Sequence, residues 1–241
     1  MTRRRWIADR VEGDRAYLLD QNAAHLFRVL RVKPGQEFEV VAGGALRMGT
    51  VVFAAEHKVE FHLGPEVPRA VLPEVVVYLS IFKFDRLEWA LEKLTELGAV
   101  KIVPAIAQRS GQHLVKAAAT RLPRWRKIVH EAAQQARRIA PPEIAEPVTL
   151  KNFVAAATGS RVVLSETEGS LSLKAALTGC PPPLVLAFGP EGGWSPEEIK
   201  LFQDAGWKSA SLGHTILRAE TAAIAAVAVV LSEIAEIAKI G

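Results

Sequence analysis

The amino-acid sequence predicts an α/β fold preceded by a small β domain, and three observations predict it. Downstream of Val75, short continuous apolar runs alternate with longer amphipathic stretches, the pattern of a mostly parallel sheet with helices on its faces. Upstream, brief alternating runs are separated by glycines, the pattern of short strands joined by tight turns. Between the two, Pro65, Pro68 and Pro73 interrupt both patterns. A β domain is therefore expected over residues 1–70 and an α/β domain over residues 71–241.

In the first region Phe38 to Val41, Thr50 to Phe53 and Val59 to Leu63 read as strands, with Gly43, Gly44 and Gly64 as turns. The second opens with a strand from Val75 to Phe82. Asp85 is placed to cap the next helix, whose Leu87, Ala90, Leu91, Leu94 and Leu97 share one face and which ends at Gly98. Further strands are expected over Val100 to Ile106, Arg161 to Ser165, Leu184 to Phe188 and Lys208 to Leu212. From Arg218 to Lys239 the Ala, Ile and Val content predicts a long helix with its polar groups gathered at the start.

Two strand-to-helix connections stand apart from ordinary loops. Leu184 to Phe188 is uniformly apolar, as in a strand buried on both faces, and Gly189 breaks it. In the following GPEGGW segment, Gly192 and Gly193 let the chain take positive φ or let a ligand approach the main chain. Ser195, Pro196 and Glu198 then form a capping box with proline at the first helical position. The second connection runs from Leu212 to Ala223, where Arg218, Glu220 and Thr221 crowd the start of an otherwise apolar helix. An ion pair and a hydroxyl at a buried helix start have either a ligand to bind or each other to cap.

Bulk composition describes a globular chain: 241 residues, 49% hydrophobic, with a net charge of +4 from 30 basic and 26 acidic residues. The distribution of charge is more informative. Seven basic side chains between Lys116 and Arg138 face the single acid Glu131. On that helix Leu122, Trp125, Val129, Ala132 and Ala136 make the apolar stripe, so Arg124, Lys127 and Arg138 are expected on the opposite face. With Arg3, Arg4, Arg5, Arg28, Arg31 and Arg109 they suit a phosphate-binding surface. The single cysteine, Cys180, sits before three prolines in an expected loop and fits a reducing compartment. Acidic residues close behind Arg3 to Arg5 leave no signal peptide in view, and the run from Ala222 to Leu231 is too short to span a bilayer. That run reads as core or as a subunit interface. No metal-ligand cluster, dinucleotide-binding G-x-G-x-x-G or P-loop pattern is present.

The motifs together resemble the RsmE family of the SPOUT class of RNA methyltransferases. GPEGG and LGHTILRAETAA resemble its cofactor-binding segments. Lys83 to Pro104, KFDRLEWALEKLTELGAVKIVP, resembles the start of its catalytic domain; Gln108 to Ser110 resemble its basic turn, and His130 to Arg138, HEAAQQARR, its E-A-x-x-Q-x-x-R helix. His25 to Gly35, HLFRVLRVKPG, resembles a segment of its small RNA-binding domain. The likeness covers nearly the whole chain in the family's order. It departs at Thr215, where the family often has Arg, and at Gln134, where it often has Glu, so no charge acts at either position here.

What the resemblance implies is a SPOUT domain with a C-terminal trefoil knot behind a PUA-like β-barrel, acting as a homodimer in the cytoplasm. The implied cofactor is S-adenosylmethionine and the implied substrate is 16S rRNA, alone or in the 30S subunit, methylated at N3 of a uridine. No metal is implied. The cofactor loops map onto Ser165 to Glu168, Gly189 to Gly193 and Leu212 to Arg218. Within them Ser165, Glu166, Gly189, Pro190, Glu191 and Gly192, then Leu212, Gly213, Ile216, Leu217 and Arg218, with Thr221 beyond, are the expected cofactor contacts. Arg218 is the candidate for orienting the base, and Glu191 and Glu220 are candidate proton acceptors. Arg5, Arg28, Arg31, Arg109, Arg124 and Arg137 are the expected RNA contacts. Two other readings stay open: another SPOUT reaction such as ribose 2′-O-methylation, and a non-catalytic RNA-binding protein that keeps the loops as scaffold.

Overall fold

The computed structural model describes residues 5–68 and 73–237. Arg3, Arg4 and Lys239 lie outside the described residues, as does the stretch 69–72 where the domain boundary is expected. The chain forms two compact units, one of residues 1–71 with 133–141, the other of 72–132 with 142–241.

The first unit carries β1 (Trp6–Ile7), β2 (Arg10–Glu12), β3 (Arg15–Leu19), α1 (Asp20–Ala24), a π-helical turn (His25–Val29), β4 (Glu37–Ala42), β5 (Ala45–Ala55) and β6 (Lys58–Glu66). Its six-stranded sheet has the order β1-β4-β5-β6-β3-β2, antiparallel except where β1 joins β4. Ala42 pairs with Ala45 across Gly43 and Gly44, both at positive φ. A two-residue hairpin needs that backbone to match the strand twist, which is why glycine fills both positions. Gly64, expected in a turn, lies inside β6, where a Cβ would stand 3.1 Å from the Met48 carbonyl oxygen. Close approach of a neighbouring strand explains that glycine. Trp6, Leu18, Leu26 and Phe61 fill the core of this unit.

The second unit carries β7 (Val75–Ser80), α2 (Phe84–Leu97), β8 (Lys101–Ile106), α3 (Gln112–Gln135), β9 (Glu143–Ile144), β10 (Val148–Thr149), α4 (Leu150–Ala156), β11 (Ser160–Leu164), α5 (Leu173–Leu177), β12 (Leu184–Phe188), α6 (Pro196–Asp204), β13 (Lys208–Ala210) and α7 (Ala219–Ile237). Its sheet is parallel throughout, in the order β10-β8-β7-β12-β11-β13, with β9 also on β8.

Strand alternation explains the continuous apolar runs. Val75, Val77, Leu79, Leu184, Leu186 and Phe188 enter one core, shared with α2, α3, α5 and α7, while Tyr78, Val185, Ala187 and Val163 enter the other, shared with α4 and α6. In the second core Tyr78 stacks on Phe153 at 4.2 Å between ring centroids, and Phe202 meets both Trp194 and Trp207 edge to face. Among the described residues no helix is long and apolar enough to cross a membrane.

Some local expectations need correction. Lys83, not Asp85, occupies the cap position of α2; Asp85 sits in the first turn, where its carboxylate still faces the positive end of the helix dipole. The basic helix ends at Gln135, so Ala136 and Arg138 fall beyond it; both are half-buried, and burial pushes the Arg138 guanidinium below its ordinary value. Arg138 therefore does not belong to an exposed basic face.

The capping box at α6 is present in full: Ser195 Oγ accepts from the Glu198 N–H, and Glu198 Oε2 accepts from the Ser195 N–H at 2.9 Å. Glu198 is buried, and its other oxygen accepts from the Gln108 N–H at 2.7 Å. One carboxylate thus joins the exit of the GPEGGW loop to the turn after β8. Glu198→Ala should lower stability by about 2–3 kcal/mol, the cost of orphaning buried donors, against about 1 kcal/mol for Ser195→Ala; urea unfolding of both variants measures the difference.

Candidate active site

In a parallel sheet every strand leaves by the same edge, so the segments after β11, β12 and β13, three adjacent strands, gather at one place. Ligands of open α/β sheets bind at that carboxyl edge. Here the three segments enclose a cavity of about 360 Å³, within the usual size of a small-molecule site.

Hydrogen bonds hold the loops against the neighbouring strands. Ser165 donates its N–H to the Ala210 carbonyl at 3.0 Å, which fixes the first loop against β13. Trp194, buried at the end of the GPEGGW segment, donates its indole N–H to Leu164 O at 3.0 Å and fixes the second loop against β11. Ser211 is bonded on both sides, donating to Leu171 O and accepting from the Leu173 N–H. Beyond it, among the described residues, the N–H groups of Leu212 to Leu217 find no backbone acceptor. A run of unpaired backbone donors beside apolar Leu212, Ile216 and Leu217 suits the edge of a heterocyclic base, because such groups need partners once covered. Ile216, 81% exposed, is the most exposed large hydrophobic side chain among the described residues.

Of the expected cofactor contacts, Ser165, Glu166, Gly189, Pro190, Glu191, Leu212, Gly213, Ile216, Leu217 and Arg218 all line the cavity. Gly192 and Thr221 do not. The Gly192 carbonyl is turned toward Arg109, which donates to it at 2.6 Å. Thr221 lies on α7 between Ala219 and Ala222, which line the cavity, and the helical rotation carries it to an exposed face. Thr215 and His214 also line the cavity, and Thr215 contributes a neutral side chain where a cation would alter the field.

Among the candidate catalytic groups, Arg218 is exposed at the cavity and makes no side-chain hydrogen bond or ion pair among the described residues. Glu191 meets Arg86 at 2.5 Å. Glu220 does not line the cavity: it is 4% exposed, lies 3.8 Å from the Arg86 Nε, and its Oε2 has no hydrogen-bond partner among the described residues. Arg86 itself lines the cavity and is absent from the sequence-derived site. The signal was present in KFDRLE, whose arginine stands in the first turn of α2.

The expected RNA contacts divide into engaged and open groups. Arg5 is largely buried, with its Nε and Nη2 on Glu39 and its Nη1 on the Arg137 carbonyl, so it serves the packing of the first unit. Arg28 pairs with Glu56, and Arg124 holds both oxygens of Glu88 at 2.8 Å. Both guanidiniums stand at the surface, where water screens the ion pair and a phosphate can compete for the cation. Arg109 secures the glycine loop, Arg137 is exposed at φ 56°, and Arg31 is exposed at φ 50° with no partner among the described residues.

A family model of the RNA methyltransferase domain matches residues 70–231, which places the α/β unit and its cavity in that class. A Ribosomal RNA small subunit methyltransferase E of Synechocystis is 35% identical over 82% of this chain and 66% of its own length. The enzyme of the same name from Mycobacterium bovis is 32% identical over 88% of this chain and 82% of its own. The chain belongs to the Ribosomal RNA small subunit methyltransferase E family. The crystal structure of a member from Neisseria gonorrhoeae bound to S-adenosyl methionine superposes with a TM-score of 0.84 at 26% identity, covering 95% of this chain and 97% of that one.

Two consequences can be measured. Gly193 has φ 69°, and a Cβ there would meet Glu166 Oε1 at 2.8 Å; Gly193→Ala should cost about 1–2 kcal/mol of stability from the left-handed backbone alone and displace Glu166 from the cavity wall. Separately, donors from Ser170 and Leu171 hold the Glu168 carboxyl below its ordinary range. Because the folded value is the lower one, its support of the Ser165 to Leu171 segment is present above the ordinary carboxylate range and disappears as pH falls through the folded value. Amide exchange at Ser170 and Leu171 should therefore accelerate on acidification, and Glu168→Gln should remove that pH dependence.

Proposed function

We propose that this chain transfers a methyl group from S-adenosylmethionine to N3 of a uridine in 16S rRNA of the small ribosomal subunit. The observation that carries this reading is the cavity built from three loops at the carboxyl edge of adjacent parallel strands, in a chain whose family is that of the rRNA methyltransferases. The residues suit the cofactor. Leu212, Ile216 and Leu217 offer apolar walls, the unpaired N–H groups of the same loop offer polar edges, and Glu166 and Glu191 offer carboxylates to a cationic ligand. When bound, the sulfonium supplies a methyl group already activated for transfer. The protein then has to hold the accepting nitrogen in line and exclude water.

In this reading Arg218, exposed at the cavity and unpaired among the described residues, orients the base and stabilises negative charge that grows on the uracil carbonyls as N3 gives its proton to water. The target base leaves its stack, since N3 is otherwise occupied in pairing. The first unit acts as a PUA-like RNA-binding module, with Arg28 and Arg31 on the backbone of the RNA. The α/β unit carries a C-terminal trefoil knot; support comes from the path after β12, which crosses β11 to set β13 on that strand's far edge. The active form is a homodimer in the cytoplasm, with the half-buried side of α7 as the contact.

Transfer from labelled S-adenosylmethionine to 16S rRNA in small-subunit particles lacking base methylation, followed by nucleoside analysis, tests the reading. It predicts 3-methyluridine; a 2′-O-methylated nucleoside would replace it with another SPOUT reaction, and absence of cofactor binding with a non-catalytic protein. Arg218→Lys should lower kcat at saturating RNA by about tenfold or more. Arg31→Ala should weaken RNA binding and reduce the slope of affinity against salt by about one, while leaving cofactor affinity unchanged by calorimetry.

A further inference from the structure

Three elements that are distant in sequence converge on Arg86. It rises from the first turn of α2, its Nη1 lies 2.5 Å from Glu191 Oε1 in the GPEGG loop after β12, and its Nε lies 3.8 Å from Glu220 Oε1 at the second position of α7. The two contacts differ in kind. The first is a short charge-assisted hydrogen bond; the second is too long for one and is an ion pair only. Glu220 is buried, and a buried carboxylate needs a cation beside it. Arg86 and Glu191 both face the cavity, whereas Glu220 stands behind them.

This layering is unusual for a surface ion pair. Arg86 is only 31% exposed and Glu191 37%, and both lie on the wall of a site rather than on open surface. Glu191 gives one carboxylate oxygen to Arg86, and its Oε2 has no donor among the described residues. The turn that bears it is closed by the Gly193 N–H on Pro190 O, and among the described residues Arg86 is the donor that sets the direction of the Glu191 side chain.

We propose that Arg86 is a positioning residue for the cavity. Anchored from behind by Glu220, it fixes Glu191 on the wall so that one carboxylate oxygen serves the guanidinium and the other accepts from an N–H donor of the bound cofactor. The inference rests on the reading that this cavity holds S-adenosylmethionine. It assigns work to an arginine of α2, outside the three loops.

The test is a double-mutant cycle on the full chain, read by calorimetric titration with S-adenosylmethionine. Arg86→Gln and Glu191→Gln should each weaken binding by about tenfold, and the double variant should be no weaker than the worse single variant within about threefold. Arg86→Lys should recover part of the loss, because a cation reaches Glu191 without the planar fork. Losses that multiply to about a hundredfold in the double variant, or an Arg86→Gln protein that binds as the wild type does, would overturn the assignment. If Arg86→Gln fails to fold, the same cycle built on Arg86→Lys reads the coupling. A wild-type chain that binds no S-adenosylmethionine would remove the cofactor reading and this inference with it. A wild type that binds while its variants act independently would remove only the inference.

Discussion

Parallel pairing is the constraint on which the site depends. A parallel strand cannot return to its neighbour by a tight hairpin; it must cross over through a helix and begin again at the same edge. In the order β7-β12-β11-β13 every connection therefore leaves from one side of the sheet. Leu164, Phe188 and Ala210 are the last residues of three neighbouring strands, and the loops that follow them have no choice but to meet. The cavity is a product of topology first and of side chains second.

What turns that meeting of loops into a defined site is a small set of buried polar contacts. Trp194 reaches from the second loop to the end of β11, Ser165 from the first loop to β13, and Glu198 from α6 to the turn that carries Arg109. Each replaces a bond to water with one inside the protein, worth about 1 kcal/mol net but several times that if one partner is lost. Arg86 extends the same scheme to charged groups, tying α2 to the GPEGG loop and to α7. Against this frame the Leu212 to Arg218 segment carries the longest run of open backbone donors of the three loops among the described residues, as a ligand-binding segment should.

Much of this was legible in the residues. LVLAF fits a strand buried on both faces, and SPEE after a glycine run reads as a helix start; both stand where expected. The GPEGG and LGHTILR loops were recognisable as a pair because each follows an apolar run and precedes a helix. Periodicity says less about ends. Asp85 looked like a cap because aspartate favours that position, yet the turn of chain after β7 starts α2 one residue ahead of it. Arg138 followed the helical count of α3, but the helix had already stopped at Gln135. Arg86 was in view within a family motif and could not be placed, since its partners lie 105 and 134 positions away along the chain. The free or engaged state of each arginine is a matter of tertiary contact, so Arg5 and Arg31, alike in sequence, end as a packing residue and an open cation.

Whether the three-loop cavity receives the cofactor can be read from a crystal structure of the full chain grown with S-adenosylmethionine. The ligand is expected among Ser165 to Glu168, Gly189 to Gly193 and Leu212 to Arg218, with backbone groups of Leu212 to Leu217 bonded to the adenine. Ligand bound elsewhere on the α/β unit, or a cavity left empty at concentrations that saturate methyl transfer, would contradict it.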